Sequence, residues 1–194
     1  ASPGRPMIRL KRSKTIPAPL LTGELTTFKT DLAARVAAGN RILSKEFKAK
    51  FWQHNSVRET LWKQQRKKCC YTERHRRWKL EMDVEHYRPK AGVTEDSTHW
   101  GYWWLAYEWS NYLLSDKHSN SRFKGNRFPL LPSGTRALNN LSSLDDEHPI
   151  LLDPYNEDPE VFIAYDIKRG GDAWWVYARG IDVDGRGEAT INIL

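Results

Sequence analysis

The chain has 194 residues, with 31 Lys and Arg against 24 Asp and Glu, a formal net charge of +7 at neutral pH. Hydrophobic residues make up 39% of it and nine residues are Trp, enough large apolar side chain for a core, which excludes a wholly disordered chain. The longest greasy stretch, Gly101 to Leu114, is broken by Glu108, Ser110 and Asn111 and falls short of the roughly 20 residues of a membrane-spanning helix, so no membrane partner is expected.

Ala1 to Pro6 reads as a cloning remnant ahead of a native start at Met7, leaving 7–194 as one expected domain. Pro17, Pro19 and Gly23 punctuate an extended basic arm. Leu25 to Ala38 has helical spacing and stops at Gly39-Asn40. Leu43 to Gln53 continues helix-like with Phe47, Phe51 and Trp52 on one face, and Ser56 with Glu59 predicts a capping box for a helix over Val57 to Lys67. Cys69 to Tyr71 and Lys79 to His86 then have strand character and read as a hairpin through Glu73 to Arg77, ended by Pro89 and Gly92. Tyr102 to Trp109 is an aromatic-rich helix or buried segment, closed by Asn111. Asp116 to Lys124 predicts a short helix with Asp116 near its N-cap and Gly125 as its stop. After a loop over Pro132 to Pro149, Val161 to Tyr165 and Trp174 to Ala178 read as paired strands joined through Gly170-Gly171. Thr190 to Leu194 is apolar without a cap, which predicts further native chain beyond it.

Chemistry concentrates in Asp83-Val84-Glu85-His86-Tyr87-Arg88-Pro89-Lys90, where carboxylates and an imidazole meet a Pro-forced turn. A carboxylate can hold a hard cation while a neighbouring His takes a proton from water. Downstream, Asn111, Asn120, Lys124 and Asn126 supply polar side chains on and beside the short helix, so the spacing describes a hairpin-plus-helix cradle.

These blocks resemble the HNH, or ββα-metal, endonucleases, and more narrowly the HNH subunit of Septu-type anti-phage defence systems, some of which accompany retrons. The resemblance runs from Met7 to Ser13 through Lys68 to Glu73, Asp83 to Lys90, Tyr102 to Trp109, Asn111 to Ser115 and Lys124 to Pro129, ending at Leu152-Asp153-Pro154. It implies an α+β fold in which a helical N-terminal region precedes a ββα-metal core over about residues 66–130, with additional C-terminal strands behind it. His86 would be the general base and Asn111 would orient its imidazole. Glu85 and Asn120 would hold one Mg²⁺ or Mn²⁺ ion. Lys124, Arg88, Lys90, Arg76 and Arg77 would contact nucleic acid, with DNA favoured over RNA. An ATPase subunit of the same system is the implied protein partner, and two Cys, both reduced, fit the cytoplasm.

Many relatives of that kind carry two Cys-x-x-Cys pairs on a structural zinc. Here the corresponding stretches are Cys69 to Thr72 and Asp116 to Ser119, so a Cys₄ site is impossible and no structural zinc is expected. A mixed site on Cys69, Asp116 and His118 is weaker than the reading of Cys69 and Cys70 as small buried hydrophobes.

Other features have plainer readings. Lys63, Arg66, Lys67, Lys68, Arg74, Arg76, Arg77 and Lys79 form a basic cluster suited to a phosphate backbone, extended by Arg122, Lys124 and Arg127. Asp83 shares strand parity with Glu85, and an ion pair is its expected role. The Trp103-Trp104 and Trp174-Trp175 pairs are read as core or subunit interface. His54, His75, His99, His118 and His148 are read as surface or satisfied core, and no glycine-rich phosphate loop is present. The competing functions are a toxin-like enzyme that cuts tRNA or other RNA and a degenerate HNH scaffold that binds nucleic acid or an ATPase without cutting.

Overall fold

The computed structural model describes residues 7–170 and 173–194, so Ala1 to Pro6 and the Gly171 half of the proposed strand connection lie outside the described residues. The fold is α+β: helices plus two separate two-stranded antiparallel sheets.

The first helix, α1 (Gly23–Ala37), starts where the Thr22 hydroxyl accepts the Leu25 N–H at 3.2 Å. It buries Leu25 and Leu32, two turns apart on one face, and gives way to Gly39 at φ +81°. The stretch predicted as a helix over Leu43 to Gln53 is instead a single 3₁₀ turn at Ser44–Glu46 followed by irregular turns. Its apolar residues Phe47, Phe51 and Trp52 are nevertheless buried, because tertiary contacts satisfy the pattern that helical periodicity suggested. The second helix, α2 (Asn55–Gln64), is capped two residues earlier than the Ser56 motif implied: His54 Nδ1 accepts the Ser56 N–H at 3.2 Å. It ends before Lys67, since Arg66 and Lys67 both take left-handed φ, +53° and +66°.

The basic arm is fastened down rather than free. Met7, Ile8 and Leu10 are buried, and the Leu10 N–H donates to Pro154 O at 2.7 Å. Arg12 donates to Trp109 O at 2.8 Å and to Tyr112 O at 3.0 Å, and its guanidinium lies 3.8 Å from the Tyr155 ring centroid.

The predicted hairpin of Cys69–Tyr71 with Lys79–His86 does not form. Trp78–Glu81 is a one-turn helix, α3, and the strand after it, β1 (Met82–His86), pairs with β2 (Tyr112–Asp116) in the register His86↔Tyr112 to Met82↔Asp116. Local spacing suggested the nearer partner, whereas Tyr112, Leu113 and Leu114 are the run apolar enough to fill both faces of a buried strand. Cys69 and Cys70 lie instead along the outer edge of β2, where the Cys70 N–H donates to Leu114 O at 3.1 Å. Gln65 completes that edge as a one-residue substitute strand: its Oε1 accepts the Leu114 N–H at 2.8 Å and its Nε2 donates to Leu114 O at 2.6 Å.

Between β1 and β2 the aromatic segment is buried but not α-helical, with single 3₁₀ turns at Trp103–Leu105 and Trp109–Asn111. Gly101 makes the return possible. At φ +84° a Cβ there would stand 2.2 Å from Gly92 N, so only glycine lets the chain pass the Pro89 to Gly92 loop. After β2 the expected helix is a π-helical turn over Ser119–Lys124, closed by Gly125 at φ +49°.

Strands β3 (Ile163–Gly170) and β4 (Ala173–Gly180) form the second hairpin as predicted, with Ile163↔Gly180 at its base. The apolar C-terminal residues fold into α4 (Arg186–Ile193), whose Thr190 hydroxyl accepts the Leu152 N–H at 3.2 Å. Among the described residues no helix is long and apolar enough to cross a membrane.

Candidate active site

The end of β1, the loop to Lys90 and the π-helical turn after β2 enclose an open cleft of about 420 Å³. Trp52, Asp83, Glu85, His86, Lys90, Asn120 and Asn126 are among its lining residues. Strand pairing carries His86 and Glu85 to the terminus of a buried ladder, and the turn that follows β2 brings Asn120 back beside them. The sequence places these residues 34 positions apart only along the chain; the β1–β2 register closes that distance.

His86 is fixed on three sides. Trp52 meets it edge-on at 4.9 Å between ring centroids, Tyr112 does so at 5.2 Å, and Nε2 lies 2.9 Å from Ala106 O. A carbonyl can only accept, so Nε2 carries the proton and Nδ1 keeps the lone pair of the neutral ring. Burial holds the imidazole pKa well below its ordinary value, and the positive charge of Lys90 adds to that.

The orienting group is therefore the Ala106 carbonyl, not Asn111. Asn111 Oδ1 accepts the Arg88 N–H at 2.8 Å, and Nδ2 donates to Arg88 O at 3.0 Å and Leu105 O at 3.2 Å. Its side chain braces the backbone at Arg88 and Leu105, beside a different hollow, and does not touch the imidazole. A backbone carbonyl leaves no side-chain signal in a sequence, so nothing could have pointed to Ala106.

Glu85 is buried, and burial raises its carboxyl pKa against the opposing pull of Lys124. Lys124 is itself fully buried. Its Nζ lies 2.6 Å from Glu85 Oε1 and donates to His86 O at 2.9 Å and Gly125 O at 3.4 Å. A side chain expected to touch phosphate is thus spent inside the protein, because a buried carboxylate needs a partner.

The other expected nucleic-acid contacts divide. Lys90 lines the cleft, half-buried, with its ammonium 5.2 Å from the Trp52 ring centroid. Arg88 turns away from it and pairs with the buried Glu147 at 2.6 Å. Arg76 is held by Asp116 at 2.5 Å on a neighbouring concave surface, and Arg77 is exposed beside Glu81 at 3.3 Å. Around them Lys63, Arg66, Lys67, Arg74 and Lys79 are exposed, while Lys68 pairs with Glu73 at 3.2 Å. Arg127 is exposed, and the Arg122 side chain lies outside the described residues.

Asp83 keeps only a loose pairing, 3.9 Å to Arg58, and lines the cleft with Glu85, as their shared strand parity allows. Two carboxylates and three carboxamides, of Gln53, Asn120 and Asn126, on one open cleft are hard oxygen donors, the set that suits Mg²⁺ or Mn²⁺. Among the described residues no three His, Cys, Asp or Glu side chains converge as an all-protein cage. Cys69 accepts the Asp116 N–H at 3.2 Å, and a hydrogen bond from Cys70 contributes most to lowering its thiol pKa to about 6. Asp116 meanwhile engages Arg76, and the His118 ring stacks edge-on against Phe123 at 5.1 Å.

No family model matches the chain, and no solved structure does. The chain is similar to the Septu protein PtuB of Bacillus mycoides (strain KBAB4), 30% identical over 135 residues, which cover 66% of this chain and 45% of that protein. It spans less than half the length of that relative. Across the aligned stretch this similarity supports kinship with PtuB-like Septu proteins.

Proposed function

We propose that the protein is a metal-dependent HNH endonuclease that hydrolyses phosphodiester bonds, DNA before RNA, as the effector of a Septu-type anti-phage defence system with an ATPase subunit as its partner. The observation that carries this reading is the meeting of Glu85, His86 and Asn120 on one cleft, with the His86 tautomer set by Ala106.

In this reading His86 Nδ1 takes the proton from water as it attacks phosphorus, and the ring stays neutral beforehand because burial and Lys90 disfavour its charged form. Ala106 O holds the Nε2 proton and would stabilise the imidazolium once formed. Glu85 and Asn120 would hold the divalent cation, which when bound polarises the scissile phosphate and stabilises the leaving oxygen. Lys90 would steer the phosphate, and the exposed lysines and arginines near α2 and α3 would track the backbone on either side. The relative's Septu name supports the place in defence, and the ATPase follows from the resemblance.

One observation favours the non-cutting scaffold instead: Lys124 already satisfies Glu85. A nicking assay on supercoiled plasmid, run beside tRNA, with and without Mn²⁺ and with the adjacent ATPase supplied, separates the readings. Metal-dependent cutting that falls by about 100-fold or more in His86→Ala supports the enzyme. Binding without cleavage of either substrate, with the partner present, would establish the scaffold.

A further inference from the structure

Lys124 makes the cleft electrostatically unusual for a site that takes a dication. Its ammonium reaches Glu85 Oε1 at 2.6 Å with both side chains removed from water. Two main-chain carbonyls, of His86 and Gly125, complete its shell, so it is a fixed part of the fold and not a mobile surface group. On the same cleft stands Lys90, and the second carboxylate, Asp83, is shared loosely with Arg58 at 3.9 Å. Three cationic groups, Lys124 beneath Glu85, Arg58 near Asp83 and Lys90 on the wall, therefore meet two carboxylates, so that the cleft offers a dication no excess of negative charge.

A cavity of that balance repels a lone divalent cation and attracts an anion. Mg²⁺ sites commonly combine one or two carboxylates with waters and substrate phosphate oxygens, and here the missing negative charge can come only from the phosphodiester. The absence of a tighter acidic cluster among the described residues points the same way.

Resting on the metal-dependent reading above, we propose that Lys124 neutralises Glu85 in the free protein, so that the divalent cation and the nucleic-acid phosphate enter the cleft as a coupled pair. Lys124 is then a positioning residue: it keeps the buried carboxylate aligned on one oxygen and leaves the other for the metal. The substrate itself gates metal loading, which keeps the free subunit from holding a charged, reactive centre.

The test is Mn²⁺ binding to the full chain, followed by electron paramagnetic resonance, alone and with a phosphorothioate DNA duplex that resists cleavage, corrected for Mn²⁺ bound by DNA alone. Mn²⁺ affinity is expected to rise by about 10-fold or more with the duplex, and Mn²⁺ should tighten the duplex by the same factor, since coupling is reciprocal. Lys124→Met is expected to raise the affinity of the free protein and shrink the coupling. Lys90→Gln, at a half-buried position on the cleft wall, should do the same more weakly. Equal Mn²⁺ affinity with and without DNA overturns the coupling while leaving the metal reading standing. Failure to bind Mn²⁺ in either state overturns both.

Discussion

The two hairpins are the same element in opposite surroundings. In β1–β2 nearly every residue is buried, and even the outer edge of β2 is closed by Gln65 and Cys70. Among the described residues of β3–β4 only the base is buried. Ile163 is 3% exposed, but Ile167, Val176, Trp174 and Trp175 stand 56%, 47%, 67% and 61% exposed as the ribbon leaves the body. Residues opposite one another share a face, so one apolar stripe runs from Ile163 and Tyr165, against the core, outward through Ile167 and Val176. Pairing alone thus fixes neither stability nor role: β1–β2 is buried because other elements cover it, and that packing holds Glu85 and His86 in place.

The sharpest test of this contrast is a matched pair of truncations. Leu114→Ala should cost about 2–5 kcal/mol of unfolding free energy, the range for a buried leucine that leaves a cavity. Val176→Ala, half-exposed on β4, should cost under about 1 kcal/mol. Denaturant melts of both variants measure the difference, and similar losses would mean that the outer hairpin is as well packed as the inner.

The next effect concerns the closed edge. Gln65→Leu keeps the volume but leaves the Leu114 N–H without its acceptor, at a cost of about 1–3 kcal/mol. Hydrogen exchange at that amide should accelerate in step with the loss. Unchanged protection would show that the substitute strand contributes nothing.

The smallest effect is a pH dependence carried by the inner hairpin. Burial lowers the pKa values of both His86 and His99, so the unfolded chain binds protons that the native state refuses. Stability is then full above the unfolded histidine pKa of about 6.5 and declines as pH falls below it. Melts from pH 7.5 to 5.5 should show the decline, and His86→Phe should make it shallower. A flat profile in the native chain would mean that His86 is hydrated. Raised carboxyl pKa values at Glu73, Glu85 and Asp153 act in the opposite sense, losing stability as pH rises above the ordinary carboxylate pKa.

Several elements were legible from local chemistry because their causes are local. The periodicity of α1 and its Gly39 stop and the β3–β4 pairing all follow from residues within a few positions of one another. The clustering of chemistry at Glu85 and His86 was legible too, since carboxylate, imidazole and Pro-forced turn are adjacent in the chain. The partner of β1 was not, because a strand 26 residues away competes with a nearer one only through the core it fills.

The sequence by itself determined the α+β class, the basic charge, the donor types and the strand end that carries them. Only the tertiary structure decided that Ala106 rather than Asn111 holds the imidazole, that Arg88 serves Glu147, and that Lys124 serves Glu85. The physical reason is the same for all three. A hydrogen bond or ion pair is chosen by what burial leaves unsatisfied, and burial is a property of the packed chain, not of the residue.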